Sequence, residues 1–235
     1  ISRLIEFVTR FDPQRGLTRE AALAVAERCI PAHRDFAPAV FAEFAGIAEG
    51  AGLTEAELLI GNGLTDLRDL VLFENESLRG RCKAHMDECS AILVPAEASA
   101  EPGPIVAQTW DMHADAIDYL VVVRRRPDRA PATVGLTTVG CQCLIGLNSE
   151  GVAVGNTNLV PTDARAGVNY LATITAALAC RSADAAADRI EQTPRLSGHN
   201  FYVADPHAAI NLETTATRVA RTRVADAPFV HTNHY

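Results

Sequence analysis

The sequence lacks the features that mark membrane, secreted and nucleic-acid-binding proteins. No stretch of its 235 residues approaches the roughly 20 consecutive apolar residues of a transmembrane helix, and its opening residues mix charged with apolar side chains, unlike a signal peptide. Acidic residues outnumber basic ones by 29 to 21, and the net charge of -8 argues against a general nucleic-acid binder, which needs a basic face to neutralise phosphates. We therefore predict a cytoplasmic protein without a membrane or nucleic-acid partner.

Several common catalytic signatures are missing as well. Gly61-Asn-Gly63 does not have the spacing of a phosphate-binding loop, and the sequence contains neither a dinucleotide-binding fingerprint nor the G-x-S-x-G turn of serine hydrolases. Internal repeats, low-complexity tracts and clear linkers are absent, and 48% hydrophobic residues can supply a large core. We therefore predict a single domain over residues 1–235.

The hydrophobic spacing of the chain changes at Cys89. Before this residue, apolar side chains recur at three- and four-residue intervals, as in Val40, Phe44 and Ile47, which is typical of amphipathic helices. The spacing Thr54-x-x-Glu57 fits a capping box, which predicts the start of another helix. After Cys89, short apolar runs separated by Pro, Gly and Asp predict strands.

The order of the predicted elements favours an α+β fold. The predicted strands are Ser90–Val94, Ile105–Trp110, Tyr119–Arg126, Thr133–Thr138, Cys141–Leu147, Val152–Thr157, Asn200–Ala204, Ala208–Leu212, Thr217–Val224 and Phe229–Thr232, and the two predicted helices among them are Tyr170–Cys180 and Ala183–Glu191. Strands on both sides of a helical pair indicate two packed sheets with helices outside them.

Cys89 itself can be a core thiol, a zinc ligand or a nucleophile. Cys82, His85 and Cys89 could supply three zinc ligands and Cys141 or Cys143 a fourth, but neither group has the C-x2-C spacing of a structural zinc site. Cys141 and Cys143, two residues apart, would face the same side of a strand. Six cysteines in a chain of this length also do not form a secreted disulfide framework. We therefore predict reduced thiols and no bound metal.

Polar residues cluster at three strand ends, in the segments Gln108–Asp111, Gly155–Asn158 and His231–His234. Buried amides and carboxylates cost free energy unless they are paired. A thiol nucleophile needs a base and donors for a developing oxyanion, so these strand ends are candidate active-site segments, although for each one alone a structural role is the simpler explanation. The basic cluster Arg124–Arg126 with Arg129 is either a solvated strand end or a site for an acidic substrate.

Five segments occur along the chain in a recognisable order: CSAILV, VAQTWDMHAD, LIGLNSEGVAVGNTNL, NFYVADPHAAINLE and FVHTNHY. They resemble the acyl-CoA:6-aminopenicillanic acid acyltransferase family of N-terminal-nucleophile hydrolases, and the helical segment FAEFAGIAEGAGLTEAELLIGNGLTDL resembles its pro-region. The resemblance implies a four-layer αββα sandwich made as an inactive precursor. Autocatalytic cleavage between Glu88 and Cys89 would give an α chain, residues 1–88, and a β chain, residues 89–235, which stay associated.

The resemblance also implies the site residues. The expected catalytic residues are Cys89, Asp111 and Asn233, and the expected substrate-binding residues are Trp110, Met112, Asn156 and Asn158. Cys89 would be the nucleophile, Asp111 would orient its new α-amine, and Asn233 would donate its side-chain amide to the oxyanion, with a second donor from the backbone around Asn156–Asn158. A free α-amine titrates near ~8 and a free thiol near ~8.5, so the amine can take the thiol proton near neutral pH.

The expected function is a self-processing amidohydrolase or N-acyltransferase that forms a thioester on Cys89 from a small amide. No cofactor is expected, and acyl-CoA would be a co-substrate only for transfer. Two departures favour the alternative, a catalytically inactive or arrested-precursor relative with a binding or structural role. Glu88 stands where relatives have Gly or another small residue, and relatives continue beyond Tyr235 into further strands and a Ser-Arg pair of the site. An opening strand is also missing before Ile1, so we expect a fold that is incomplete at both termini.

Overall fold

Residues 19–74 form four helices. The computed structural model describes residues 19–74, 89–112 and 114–235, and its first four helices are α1 (Arg19–Phe36), α2 (Pro38–Ala51), α3 (Glu55–Asn62) and α4 (Leu64–Glu74). The capping box predicted at the start of α3 is confirmed, because Thr54 Oγ1 accepts from the Glu57 amide at 3.2 Å and Glu57 accepts from the Thr54 amide at 3.0 Å. Gly52 ends α2 in the left-handed conformation, with φ at 65°.

Two antiparallel sheets make up most of the remainder. The strands are β1 (Ala91–Val94), β2 (Ile105–Gln108), β3 (Leu120–Arg125), β4 (Thr133–Thr138), β5 (Ile145–Asn148), β6 (Ala153–Leu159), β7 (Gly198–Asp205), β8 (Ala208–Thr214), β9 (Val219–Val224) and β10 (Phe229–His231), with helices α5 (Tyr170–Ala177) and α6 (Ala183–Glu191) between β6 and β7. The large sheet has the order β3-β4-β5-β6-β7-β8-β9, and the small sheet has the order β10-β1-β2.

The sheets and helices pack in layers. One face of the large sheet packs against α5 and α6 through side chains such as Phe201 and Ile190. Because successive side chains on a strand alternate between its faces, the neighbouring residue Tyr202 lies on the other face, where it packs against Leu93 of the small sheet. The predicted α+β class is confirmed, and the structure shows that both sheets are antiparallel. A helical layer, the large sheet and the small sheet of the αββα sandwich lie in the described ranges.

The hairpin between β5 and β6 begins later than predicted. The prediction that a strand starts at Cys141 is wrong, because the Gln142 amide donates to Asn62 Oδ1 at 2.9 Å and the Cys143 amide donates to Thr175 Oγ1 at 3.0 Å. As a result, Cys141 and Cys143 do not share a strand face and belong to different apolar clusters. Burial raises the pKa of both thiols to about 11, so both are protonated core thiols near neutral pH.

Buried polar contacts connect the four N-terminal helices to the strands. Asn62 Nδ2 donates to the Gly140 carbonyl at 3.1 Å, and Asn169 Nδ2 donates to the Asn62 carbonyl at 2.8 Å. Ser197 Oγ donates to Asp69 Oδ2 at 2.6 Å, and both residues are buried. Since breaking such contacts leaves buried polar groups unpaired, they bind the helices firmly to the remainder of the fold.

Three sequence predictions concern membranes, location and processing. Across the described ranges, no helix combines the length and the apolar character that crossing a membrane requires. The cytoplasmic location stays a prediction. The division into chains of residues 1–88 and 89–235 also stays a prediction, and Glu88 lies outside the described residues.

His33 on α1 makes stability depend on pH. Its Nδ1–H donates to the Cys29 carbonyl at 2.9 Å and its Nε2 accepts from the Asn169 amide at 3.1 Å, so the folded protein favours the neutral ring. Burial lowers the pKa of His33 below its usual 6.5. The stability from His33 is therefore complete above about pH 6.5 and is lost as the pH falls, by at most about 1.4 kcal/mol per pH unit.

We expect the difference in free energy of unfolding between wild type and His33→Gln, measured by urea titration, to shrink as the pH is lowered from about 8 to about 5. His207→Gln is the matched control because His207 is exposed in the turn after β7. The difference in free energy of unfolding between wild type and His207→Gln should stay constant over this pH range. A constant difference between wild type and His33→Gln would contradict the role given to His33.

Candidate active site

Cys89 lies two residues before the start of β1, the central strand of the small sheet. The Ser90 amide donates to Thr109 Oγ1 at 3.0 Å, and the Thr109 amide donates to the Ser90 carbonyl at 2.9 Å, which extends the pairing of β1 with β2 to this point. Ala91 faces the large sheet whereas Ile92 is partly exposed. The alternation places Cys89 on the inner side of the small sheet, and its exposed fraction is only 6%.

Asn233 connects Cys89 to the large sheet. The main-chain nitrogen of Cys89 donates to Asn233 Oδ1, and Asn233 Nδ2 donates to the main-chain carbonyl of Asn158 at 2.8 Å. Cys89 and Asn233 are 144 positions apart in sequence. The structure therefore brings together three of the predicted site residues, although Asn158 contributes an acceptor at this contact rather than the expected backbone donor.

A second set of contacts holds the segment that carries Asn233. His231 Nε2 lies 2.7 Å from Glu213 Oε1, and His231 Nδ1 lies 2.7 Å from the Thr232 carbonyl oxygen. Thr157 Oγ1 also donates to this carbonyl, at 2.8 Å. Glu213 was not predicted from the sequence, and His231 was predicted only as part of the candidate segment His231–His234. The available signal was the acidic Glu213 on β8, a strand that is otherwise mainly apolar.

The Asn156 side chain takes part in a different network, on the helical face of the large sheet. Asn156 Nδ2 donates to His199 Nδ1 at 3.0 Å, so His199 Nε2–H donates to Asp66 Oδ1 at 2.6 Å. The Tyr170 amide donates to the second oxygen of Asp66 at 3.0 Å. The main-chain N–H of Asn156 donates to Gln108 Oε1 at 3.0 Å. The contact with His199 directs the side chain of Asn156 away from the small sheet, and its substrate-binding role stays a prediction.

The other predicted site residues lie beyond the end of β2. Asp111 is exposed, and its role at the amine of Cys89 stays a prediction. Trp110 and Met112 line a cavity of about 40 Å³ together with Leu144 and Tyr170. The structure thus places Trp110 and Met112 together at one small cavity. Their part in an acyl pocket stays a prediction.

A larger groove lies at the other end of β2. It has a volume of about 820 Å³ and a mainly apolar lining that includes Ile105, Val122, Val134 and Leu147. The groove adjoins Val106, which pairs with Leu93, whereas Cys89 precedes the opposite end of β1. It is therefore separate from the contacts around the thiol.

The zinc explanation for Cys89 depends on Cys82 and His85, which lie outside the described residues. Within residues 19–74, 89–112 and 114–235, no group of three or more His, Cys, Asp or Glu side chains is arranged to hold a metal ion. The absence of a metal stays a prediction.

Comparison with known families identifies the chain. The model of the acyl-coenzyme A:6-aminopenicillanic acid acyl-transferase family matches residues 99–235. The chain belongs to this family. The predicted membership is thus confirmed, and the matched region includes Asp111 and Asn233 but begins after Cys89. Asn233 therefore lies inside the matched region, whereas Cys89 lies ten residues before its first residue.

Solved structures with distant similarity come from two kinds of hydrolase. A mutant conjugated bile acid hydrolase from Clostridium perfringens is 9% identical, with a TM-score of 0.47 over 63% of this chain and 53% of that one. A penicillin V acylase from Agrobacterium tumefaciens is 12% identical, with a TM-score of 0.34 over 59% of this chain and 43% of that one. The chain thus spans about half the length of these structures.

Gly155 on β6 makes room for the side chains between the sheets. A Cβ atom there would lie 2.6 Å from Gln108 Oε1 and would also collide with the Tyr202 hydroxyl. We expect Gly155→Ala to lower the free energy of unfolding by about 1–3 kcal/mol in urea titrations, because the neighbours in a packed interior must shift. Gly46→Ala is the control, since Gly46 lies in α2 with no atom within 4 Å of its added Cβ.

The control should gain about 0.5–1 kcal/mol, because Ala loses less backbone freedom than Gly when a helix forms. A Gly155→Ala protein as stable as the wild type would show that the sheets are packed less closely at this point than the structure indicates.

Proposed function

We propose that the protein is a cysteine N-terminal-nucleophile amidohydrolase or N-acyltransferase that cleaves itself between Glu88 and Cys89. The observation that carries the proposal is the hydrogen bond from the Cys89 main-chain nitrogen to the Asn233 carboxamide. This nitrogen is the atom that cleavage would turn into a free amine, and it already lies against the side chain proposed to bind the oxyanion. Family membership supports the general class of acyl-group chemistry on amides.

Self-cleavage would begin with the Cys89 thiol. Its sulfur attacks the Glu88 carbonyl carbon, the carbon–nitrogen bond breaks, and the acyl group moves from nitrogen to sulfur while the nitrogen takes up the thiol proton. Water then hydrolyses the thioester, which leaves a carboxylate on Glu88 and a free thiol and α-amine on Cys89. In the uncut chain this nitrogen is an amide and cannot act as a base, so cleavage creates the group that activates the thiol.

Turnover of a small amide would repeat this chemistry on the substrate. The α-amine takes the thiol proton, the thiolate attacks the substrate carbonyl, and the amine product leaves with a proton as the thioester forms on Cys89. Water completes hydrolysis, or a second amine completes transfer. Hydrolysis is the default direction because it needs no second specific pocket, and acyl-CoA would serve as co-substrate only in transfer. No cofactor takes part in these steps.

Asn233 has the donor capacity that the mechanism requires. A carboxamide nitrogen carries two hydrogens, and one hydrogen of Asn233 Nδ2 is used by the Asn158 carbonyl. The second hydrogen can therefore stabilise the oxyanion, and the loss of such a donor typically costs on the order of 3–4 kcal/mol of transition-state stabilisation. Asp111 would orient the α-amine, Trp110 and Met112 would shape the acyl pocket, and Asn156 and Asn158 would complete the substrate site.

The two chains would remain together after cleavage. Buried contacts of Asn62, Asp66 and Asp69 join the helices before residue 75 to the strands after residue 89 without using the peptide bond between Glu88 and Cys89. An arrested precursor or inactive relative with a binding role is the second candidate. It is favoured by Glu88, whose carboxylate departs from the small residue expected there, and by the buried position of Cys89.

We expect Cys89→Ala to abolish both self-cleavage, followed on denaturing gels, and the release of amines from a panel of penicillins and N-acyl amino acids. The reason is that no other group in the proposed mechanism can form the thioester. Cys180→Ala is the matched control, because Cys180 follows α5 and its thiol pKa is raised by burial. That variant should behave as the wild type does. Unchanged cleavage and turnover in Cys89→Ala would disprove the proposed function.

A further inference from the structure

The His231 ring lies between two oxygen acceptors. Its Nε2 is 2.7 Å from the Glu213 carboxylate and its Nδ1 is 2.7 Å from the Thr232 carbonyl. A neutral imidazole carries a proton on only one nitrogen, so it can fill only one of these two hydrogen bonds by donation. Both are filled when the ring carries two protons and its positive charge is balanced by Glu213.

The pair formed by His231 and Glu213 lies close to the proposed nucleophile. His231 pairs with Ala91 across the small sheet, two residues after Cys89, and its exposed fraction is 7%. The Thr232 carbonyl, which the ring contacts, belongs to the residue immediately before Asn233. Thr157 on β6 donates to the same carbonyl at 2.8 Å. The peptide group that precedes Asn233 is thus held from two sides.

Two titratable side chains, Glu213 and His234, lie near the His231 ring in the part of the chain that the structure describes. Glu213 approaches it from β8, while the ring of His234, from the same segment, stacks at 6.4 Å between centroids. The strands on either side contribute Ala91 and the neutral hydroxyl of Thr157. Among the groups that the structure describes around the ring, Glu213 is therefore the carboxylate that contacts it.

We infer that Glu213 and His231 are positioning residues that place the Asn233 carboxamide on the Cys89 nitrogen. The His231 ring bridges the Glu213 carboxylate and the Thr232 carbonyl, and the peptide group fixed in this way sets the direction of the Asn233 side chain. This inference rests on the proposed function, because it gives these residues a role at the same site. A misplacement of about 1 Å in such a site can lower a rate by up to about 100-fold.

Glu213→Gln tests the inference, because the glutamine keeps an acceptor oxygen at the same place but removes the charge. We expect slower self-cleavage and a lower kcat, up to about 100-fold, with KM little changed. Glu213→Ala should be slower again, because it also removes the acceptor. A purely structural role would lower the free energy of unfolding without this split between kcat and KM.

Glu97→Gln is the matched control, because Glu97 is exposed after β1 and lies in no part of the site. A nitrogen-15 NMR spectrum supplies a readout that does not need activity. The side-chain amide signals of Asn233 should have the same positions in the wild type and in Glu97→Gln, and they should shift in Glu213→Gln.

The outcomes separate the two proposals. If the wild type neither cleaves itself nor releases amines, the proposed function fails, and the Asn233 side-chain signals alone decide the positioning role. If the wild type is active and Glu213→Gln keeps its rates, the positioning role is overturned while the proposed function stands. Unchanged Asn233 side-chain signals in Glu213→Gln would also overturn the positioning role.

Discussion

The hydrogen bond between the Cys89 main-chain nitrogen and the Asn233 carboxamide joins residues 144 positions apart, and the site depends on it. It forms because β10 pairs with β1 in the register that sets Ala91 opposite His231. The same carboxamide reaches the Asn158 carbonyl on the large sheet, so both sheets must pack correctly before the contact exists. The main chain of Cys89 thereby contacts a polar side chain, which the packing of a core cysteine does not require.

The need to pair buried polar groups divides the site into two networks. Side chains alternate along β6, so Asn156 faces the helices while Thr157 faces the small sheet. On the helical side, Asn156, His199 and Asp66 connect the large sheet to α4. Between the sheets, Thr157 shares its acceptor with His231. One network attaches the N-terminal helices to the fold, and the other fixes the segment that carries Asn233.

Local patterns predicted the elements well, because they depend on neighbouring residues. The strand Thr133–Thr138 and the helix Ala183–Glu191 have the predicted limits, and the capping box at Thr54 forms as expected. Long-range pairing could not be read in the same way: the strand predicted from Cys141 starts later because Asn62 binds the preceding segment. The pairing of Glu213 with His231 was missed for the same reason, since only the packing of β8 under β10 brings them together.

The most direct test of the account is the intact mass of the purified protein after prolonged incubation. We expect two chains whose masses sum to that of the whole chain plus one water, with a cut between Glu88 and Cys89 and a free α-amine on the cysteine. A single uncut chain, or a cut at any other bond, would contradict the claim that the Cys89 nitrogen is set against Asn233 for this chemistry.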